Sequence, residues 1–195
     1  MKVTKAQSLA NRAHIVDTAS VLFRERGYDG IGVADLMAAA GFTQGGFYKH
    51  FGSKADLMAE AAACSLAQSR ASSKELDFAG FIDLFLSRQH RDSPGSGCTM
   101  SALCGDAARQ PADIKATFAE GIEQAVSGLQ HKHIADGNAA DNQVREKMIS
   151  LLAQLVGAVV LSRACPDDSS LADEILQACH RQISASYTPP VDQPE

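Results

Sequence analysis

Between Gly41 and Lys54 the chain reads GFTQGGFYKHFGSK, and its side chains suit one chemistry, hydrogen bonding to a phosphodiester backbone and to base edges. The Gln44 amide matches the donor and acceptor of adenine, and Thr43 reaches a thymine methyl. Tyr48, Lys49 and His50 carry donors for phosphate oxygens, as do the free N–H groups at a helix N-terminus. Gly45 and Gly46 together should each cost a helix interior about 1 kcal/mol relative to alanine. Close approach of the backbone to another surface accounts for them where folding does not. The competing reading is a small helical hairpin whose lysine and histidine are merely solvated.

These residues need elements to present them. Ile15, Ala19, Leu22 and Phe23 recur at helical period and define an amphipathic first helix over about 5–26. Thr4 with Gln7 has the capping-box form, and Gly27 ends the helix. A glycine-rich link, 28–32, leads to a short second helix, Val33 to Ala40, with Gly32 as its N-cap and Val33, Leu36, Met37 and Ala40 on one face. Gly41 permits a left-handed turn, Phe42 fills the core beneath it, and Thr43 caps a third helix over about 44–51. In that helix Phe47 and Phe51 point inward and leave Gln44, Gly45, Tyr48, Lys49 and His50 outside. Two helices joined through such a turn make a helix-turn-helix. Ser53 and Asp56 then cap a fourth helix reaching about Arg70. Lys54, in its first turn, opposes the helix dipole, which makes sense beside a phosphate.

The stretch Ile15–Leu57 resembles the DNA-binding domain of TetR/AcrR-type transcriptional repressors. The resemblance is carried by Phe23, Gly27-Tyr28, Val33, Ala40-Gly41, Thr43, Gly46, Tyr48-x-His50-Phe51, Ser53-Lys54 and Leu57. It implies that Thr43, Gln44, Gly45, Tyr48, Lys49, His50 and Lys54 contact an operator. Gly32 and Gly45 stand where many members carry a larger side chain, which removes a base or phosphate contact.

Overall charge is -5, which at first argues against nucleic acid. Residues 1–54, however, hold seven basic against four acidic side chains, net +3, while the remainder holds eleven against nineteen, net -8. An electropositive head on an acidic body turns the head toward DNA, and so modest a charge calls for a dimer presenting two heads. The five cysteines are odd in number and lack C-x-x-C spacing, so neither a disulfide framework nor a zinc site is signalled. A reducing cytoplasm fits them. No secretory signal follows Met1, and the most apolar run, 148–161, is shorter than the ~20 residues of a membrane span. The expectation is a soluble, cytoplasmic protein with no metal, cofactor or membrane association.

Helical period continues to the end, with no internal repeat. Phe78, Phe81, Ile82 and Phe85 mark a fifth helix, and 90–97, HRDSPGSG, reads as the clearest loop in the chain. A sixth helix, 99–109, stops before Pro111, where a seventh begins, bearing Ile114, Phe118, Ile122, Ala125 and Leu129. Gly137-Asn138 breaks it. An eighth helix, about 142–164, carries too many apolar residues for one stripe. A ninth, capped by Ser170 with Asp173, bears Leu171, Ile175, Cys179 and Ile183. The fold class expected is all-α, about nine helices. Residues 1–54 form the helix-turn-helix domain, 55–186 a ligand-sensing and dimerisation domain, and 187–195 a flexible tail. The surplus apolar surface of the eighth and ninth helices suits a four-helix bundle between two chains, and the resemblance implies the same pairing; the plainer alternative is a monomer with a central eighth helix.

Phe78, Phe81, Phe85, Met100, Leu103, Phe118 and Ile122 could line a pocket for a small-molecule inducer, or simply be core. The stretch 90–111 resembles a PGSGC loop-helix motif of one subgroup, some of whose members sense oxidants or electrophiles through cysteine. That makes Cys98, at a helix N-terminus, and Cys104 candidate redox sensors, against the reading of small buried hydrophobes. No catalytic constellation is present: His131 and His133 diverge on a helix and read as solvated, and there is no nucleophile elbow or phosphate-cradling loop. The expected function is a homodimeric repressor that binds a palindromic double-stranded operator and is released by a small molecule or electrophile. The alternative is a helical binding protein or enzyme without sequence-specific DNA binding.

Overall fold

The computed structural model describes residues 4–135 and 143–187. Among them the regular structure is entirely helical: α1 (Lys5–Arg26), α2 (Val33–Ala39), a 3-10 helix (Gln44–Lys49), α3 (Lys54–Ser72), α4 (Phe78–Phe85), α5 (Arg88–Asp92), α6 (Thr99–Ala107), α7 (Ala112–Ala135), α8 (Val144–Arg163) and α9 (Ser170–Tyr187). The expected break at Gly137-Asn138, the start of the eighth helix at Asn142 and the tail beyond Tyr187 lie outside the described residues. Tyr187 itself, which the sequence groups with the tail, closes α9. Its hydroxyl donates to the Lys147 carbonyl at 3.1 Å.

The chain divides into two compact units. One comprises the described residues up to Ser72 together with Ser93–Gly121; the other comprises Ser73–Asp92 and the described residues from Ile122 onward. The unit that holds the helix-turn-helix therefore also takes in α3, α6 and the start of α7.

In the first unit α1 packs along α3, with Ile15, Ala19 and Phe23 buried against a core that includes Leu36, Met37, Phe47, Leu57, Leu103 and Phe118. The start of α1 is capped as the sequence indicates, Gln7 N–H donating to Thr4 Oγ1 at 3.1 Å. The Gln7 amide bonds forward to Asn11 rather than back to Thr4, so only half of the capping box forms. Gly27 receives the end of α1 at φ 74°, ψ 169°, a region open to glycine almost alone. A Cβ there would also stand 2.7 Å from Asp106 Oδ2. Gly27→Ala should therefore cost about 2 kcal/mol and lower the thermal midpoint by about 4–8 °C, as a melting curve would read. α2 ends in a Schellman motif: Gly41 at φ 79°, its N–H to the Ala38 carbonyl at 3.0 Å and Phe42 N–H to the Met37 carbonyl at 2.8 Å. Farther along the chain, the buried Arg24 guanidinium donates through Nε to the Gly95 carbonyl at 2.9 Å and ties the PGSG turn to α1.

In the second unit α8 and α9 pair as a hairpin, with α4 against α9 and α5 against α8. Its core draws on Phe78, Ile82, Met148, Leu151, Leu155, Val159, Leu176 and Ile183. The expected loop at 90–97 begins later than its composition suggests, because Arg88–Asp92 forms a short helix. The reason is Arg91, which is buried and donates to the carbonyls of Ser162 (3.0 Å) and Cys165 (3.1 Å) and to Asp167 Oδ1 (2.8 Å). A charged run reads as solvated in sequence; here it staples the α8–α9 corner. Asp173, assigned to the cap of the ninth helix, instead accepts from Arg88 Nη1 at 2.8 Å. His133, expected in solvent, is buried with its ring 5.6 Å from Phe78 and 5.9 Å from Tyr187, whereas His131 is exposed.

Candidate nucleic-acid interface

Residues 44–49 form a 3-10 helix rather than the expected α-helix over 44–51. Gly46 N–H donates to the Thr43 carbonyl and His50 N–H to the Phe47 carbonyl, both at 2.9 Å, the i to i+3 pattern of the tighter helix. Two glycines in six residues explain the change, since they weaken the α form most. Thr43 sits at the N-cap without the expected side-chain bond, so its hydroxyl is not committed to the cap.

The segment is anchored by Phe47, fully buried, and by Phe51, whose ring centre lies 5.4 Å away. With three residues per turn, Gly45 falls in line with Tyr48, and both are exposed. Tyr48 is 72% exposed, its ring edge-on to Phe47 at 5.2 Å. Thr43, Gln44 and Lys49 are exposed beside it, and His50 is half-buried. A Cβ on Gly45 would meet nothing within 4 Å, and one on Gly46 only ordinary contacts with Met37 and Thr43. Packing within this chain thus gives no reason for either glycine.

Lys54 is placed differently from the other six expected contacts. Its Nζ turns away from the positive end of α3 and donates to the carbonyls of Tyr28 (2.5 Å) and Ile31 (2.8 Å), closing the glycine-rich link. Ser53 and Asp56 cap α3 reciprocally, Asp56 N–H to Ser53 Oγ at 3.1 Å and Ser53 N–H to Asp56 Oδ2 at 3.0 Å. On the far side of the same link, Tyr28 N–H donates to Asp106 Oδ2 at 3.0 Å. Sequence reasoning missed Asp106, which stands 78 positions from its partner with no local pattern to mark it.

The expected pocket residues are drawn from both units. Met100, Leu103 and Phe118 are buried in the first unit, where Leu103 and Phe118 join the core around Phe23. Phe78, Phe81, Phe85 and Ile122 belong to the second, and Ile122 is 40% exposed. Of the two candidate sensor thiols, Cys98 is half-buried at the N-cap of α6. Burial, with a smaller push from Cys98, raises the Cys104 thiol to about 11. Cys104 is therefore protonated near neutral pH and a poor nucleophile. Among the described residues no group of three or more His, Cys, Asp or Glu side chains could hold a metal ion, and no helix is long and apolar enough to cross a membrane.

A long helix, a short helix, a Schellman turn and a short exposed segment, all packed on one core, define a helix-turn-helix domain joined to further helices. Residues 15–61 match the family model described as bacterial regulatory proteins, tetR family. The chain is 39% identical over 57 residues to the HTH-type transcriptional regulator AcrR of Shigella flexneri, covering 29% of this chain and 26% of that protein. It is 49% identical over 43 residues to the HTH-type transcriptional repressor DhaR of a Mycobacterium species, 22% of each chain. The matched stretch thus spans about a quarter of the length of these relatives. The fold as a whole is similar to reduced E. coli NemR, with a TM-score of 0.78 at 18% identity over 93% of this chain and all of that one. It is also similar to a TetR regulator from Chloroflexus aurantiacus, with a TM-score of 0.72 at 22% identity over 92% and 95%. The two relatives and the Chloroflexus neighbour are named as transcriptional regulators.

Proposed function

We propose that this chain is a transcriptional repressor that binds a palindromic operator as a homodimer and releases it when a small molecule or electrophile acts on its body. The observation that carries the reading is the exposed ridge of Thr43, Gln44, Tyr48 and Lys49 above two glycines that no internal packing requires. A bare backbone at Gly45 lets the segment lie close to a groove wall, with Tyr48 and Lys49 on phosphates and Gln44 and Thr43 at base edges. His50 adds a donor at the end of the segment. Lys54 acts at one remove, by holding the link 28–31 from below.

Dimerisation through α8 and α9 is supported by the apolar surface the single chain leaves open. Ile149, Ala153 and Val160 are exposed along one stripe of α8, with Val156 half-buried on it, beside the face that carries Met148, Leu155 and Val159. Leu171 of α9 is exposed as well. A second copy of the same stripe is the simplest cover for it, by an isologous contact.

Mapping the genomic DNA fragments retained by the purified protein tests the reading. Enrichment of a shared inverted repeat is expected; retention without any common sequence would leave a helical binding protein instead. The electrophile branch rests on Cys98 alone, because its neighbour Cys104 is held protonated. Cys98→Ser should keep operator affinity and lose release by a thiol-modifying electrophile such as N-ethylmaleimide, read by anisotropy of a labelled operator. Release equal to that of the wild type would remove the thiol switch and leave a non-covalent inducer.

A further inference from the structure

Arg12 counts toward the positive charge of the head, yet its half-buried guanidinium finds its partners within the domain. From α1 its Nε–H donates to the His50 carbonyl at 3.2 Å, and its guanidinium carbon lies 4.8 Å from the centre of the Phe51 ring. Its two terminal nitrogens donate to the two carboxylate oxygens of Glu60 on α3. One planar fork therefore joins α1, the end of the 3-10 helix and α3, a geometry that a lysine cannot reproduce. His50 and Phe51 are the two residues at which the recognition segment stops. Apart from its buried anchors Phe47 and Phe51, that segment has little to hold it in place: six residues, two glycines and no side-chain cap.

We propose that Arg12, held by Glu60, is a positioning residue that fixes the recognition segment for operator contact and is not itself a phosphate ligand. This rests on the DNA-binding reading above. The Phe51 ring and the His50 carbonyl take up the inner face and edge of the guanidinium, and Glu60 neutralises it. Loss of the carboxylate frees the fork to swing off His50, and the end of the segment then loses its only tie to α1 at that carbonyl.

The two roles open to Arg12 have opposite signs at Glu60. Were Arg12 a phosphate ligand, Glu60 would compete with DNA for it, and Glu60→Gln would tighten binding. Arg12→Ala would then lower the salt slope by about 1 per subunit. As a positioning residue, Arg12 needs Glu60, so Glu60→Gln and Arg12→Lys both weaken binding while the salt slope stays that of the wild type.

The test is anisotropy titration of the full-length protein on a palindromic duplex selected with the wild type, at several salt concentrations, with thermal melts of each variant. Glu60→Gln and Arg12→Lys should each weaken binding about tenfold, the equivalent of one charge-assisted hydrogen bond, with melting midpoints near the wild type's. Arg12→Ala should leave the slope unchanged; if it does not fold, the other two variants decide. Equal or tighter binding by Glu60→Gln, a reduced slope for Arg12→Ala, or losses that merely track the folded fraction would overturn the proposal. No sequence-selective binding by the wild type would overturn the DNA-binding reading, and this one with it.

Discussion

Replacing Tyr48 or Lys49 by alanine should abolish operator binding at physiological salt while leaving the protein folded. Both side chains are exposed, and Tyr48 meets Phe47 in a T-shaped ring contact at the surface, so removing either leaves the buried anchors Phe47 and Phe51 in place. Surface substitutions of this kind change stability by about 0.5 kcal/mol or less. The loss on the DNA side is larger because the proposed dimer carries each residue twice. At about 1–3 kcal/mol for each contact, two half-sites lose about 2–6 kcal/mol, or some thirtyfold to ten-thousandfold in affinity. The two variants should also differ in kind. Lys49→Ala removes a full charge from each head and should lower the salt slope by about 2 per dimer, whereas Tyr48→Ala should leave it nearly unchanged. Gel-shift titrations at several salt concentrations separate them, and retained wild-type affinity in either variant would contradict the placement of the ridge on DNA.

The second large effect is expected far from the head. Val160→Glu places a carboxylate at the C-terminal end of the open stripe of α8, at a position 45% exposed in the single chain. A lone chain tolerates the charge, since it stays in water. A twofold dimer does not, because the substitution occurs on both sides of the interface and buries two carboxylates without partners, at a cost of several kcal/mol. Sedimentation should show a dimer for the wild type and a folded monomer for the variant. Operator affinity should then fall by at least about a thousandfold, because a head of net charge +3 acts alone. A variant that remains dimeric would move the interface off this face.

What the sequence disclosed and what it concealed divide along the range of the interactions. The Thr4 cap, the glycine termini at Gly27 and Gly41 and the reciprocal Ser53–Asp56 cap were all legible, because each is a bond between residues within a few positions of one another. The inward pair Phe47 and Phe51 was legible from spacing alone, even though the backbone between them is 3-10 rather than α. The ties that set the pose of the head were hidden. Arg12 meets Glu60 across 48 positions, and Tyr28 N–H meets Asp106 across 78. A polar side chain gives no sign in sequence of which distant carbonyl or carboxylate it will find, so Lys54 read as an operator contact and Arg12 only as part of the head's charge. Arg91 misled for the same reason, its partners on α8 and beyond lying more than 70 positions away. The partition of the expected pocket residues between the two units was hidden for a different reason. Each is apolar and at helical period, but periodicity reports that a face is buried and not against which unit, so Leu103 and Phe118 proved to be core of the unit that carries the head.

Sequence-selective duplex binding by a pair of heads is tested by equilibrium titration of the purified protein on its selected inverted repeat and on a scrambled duplex of equal length. A preference of at least about a thousandfold for the repeat, one dimer per duplex and a steep fall in affinity with rising salt are expected. Equal affinity for both duplexes, or no binding to either at low salt, would contradict sequence-selective binding.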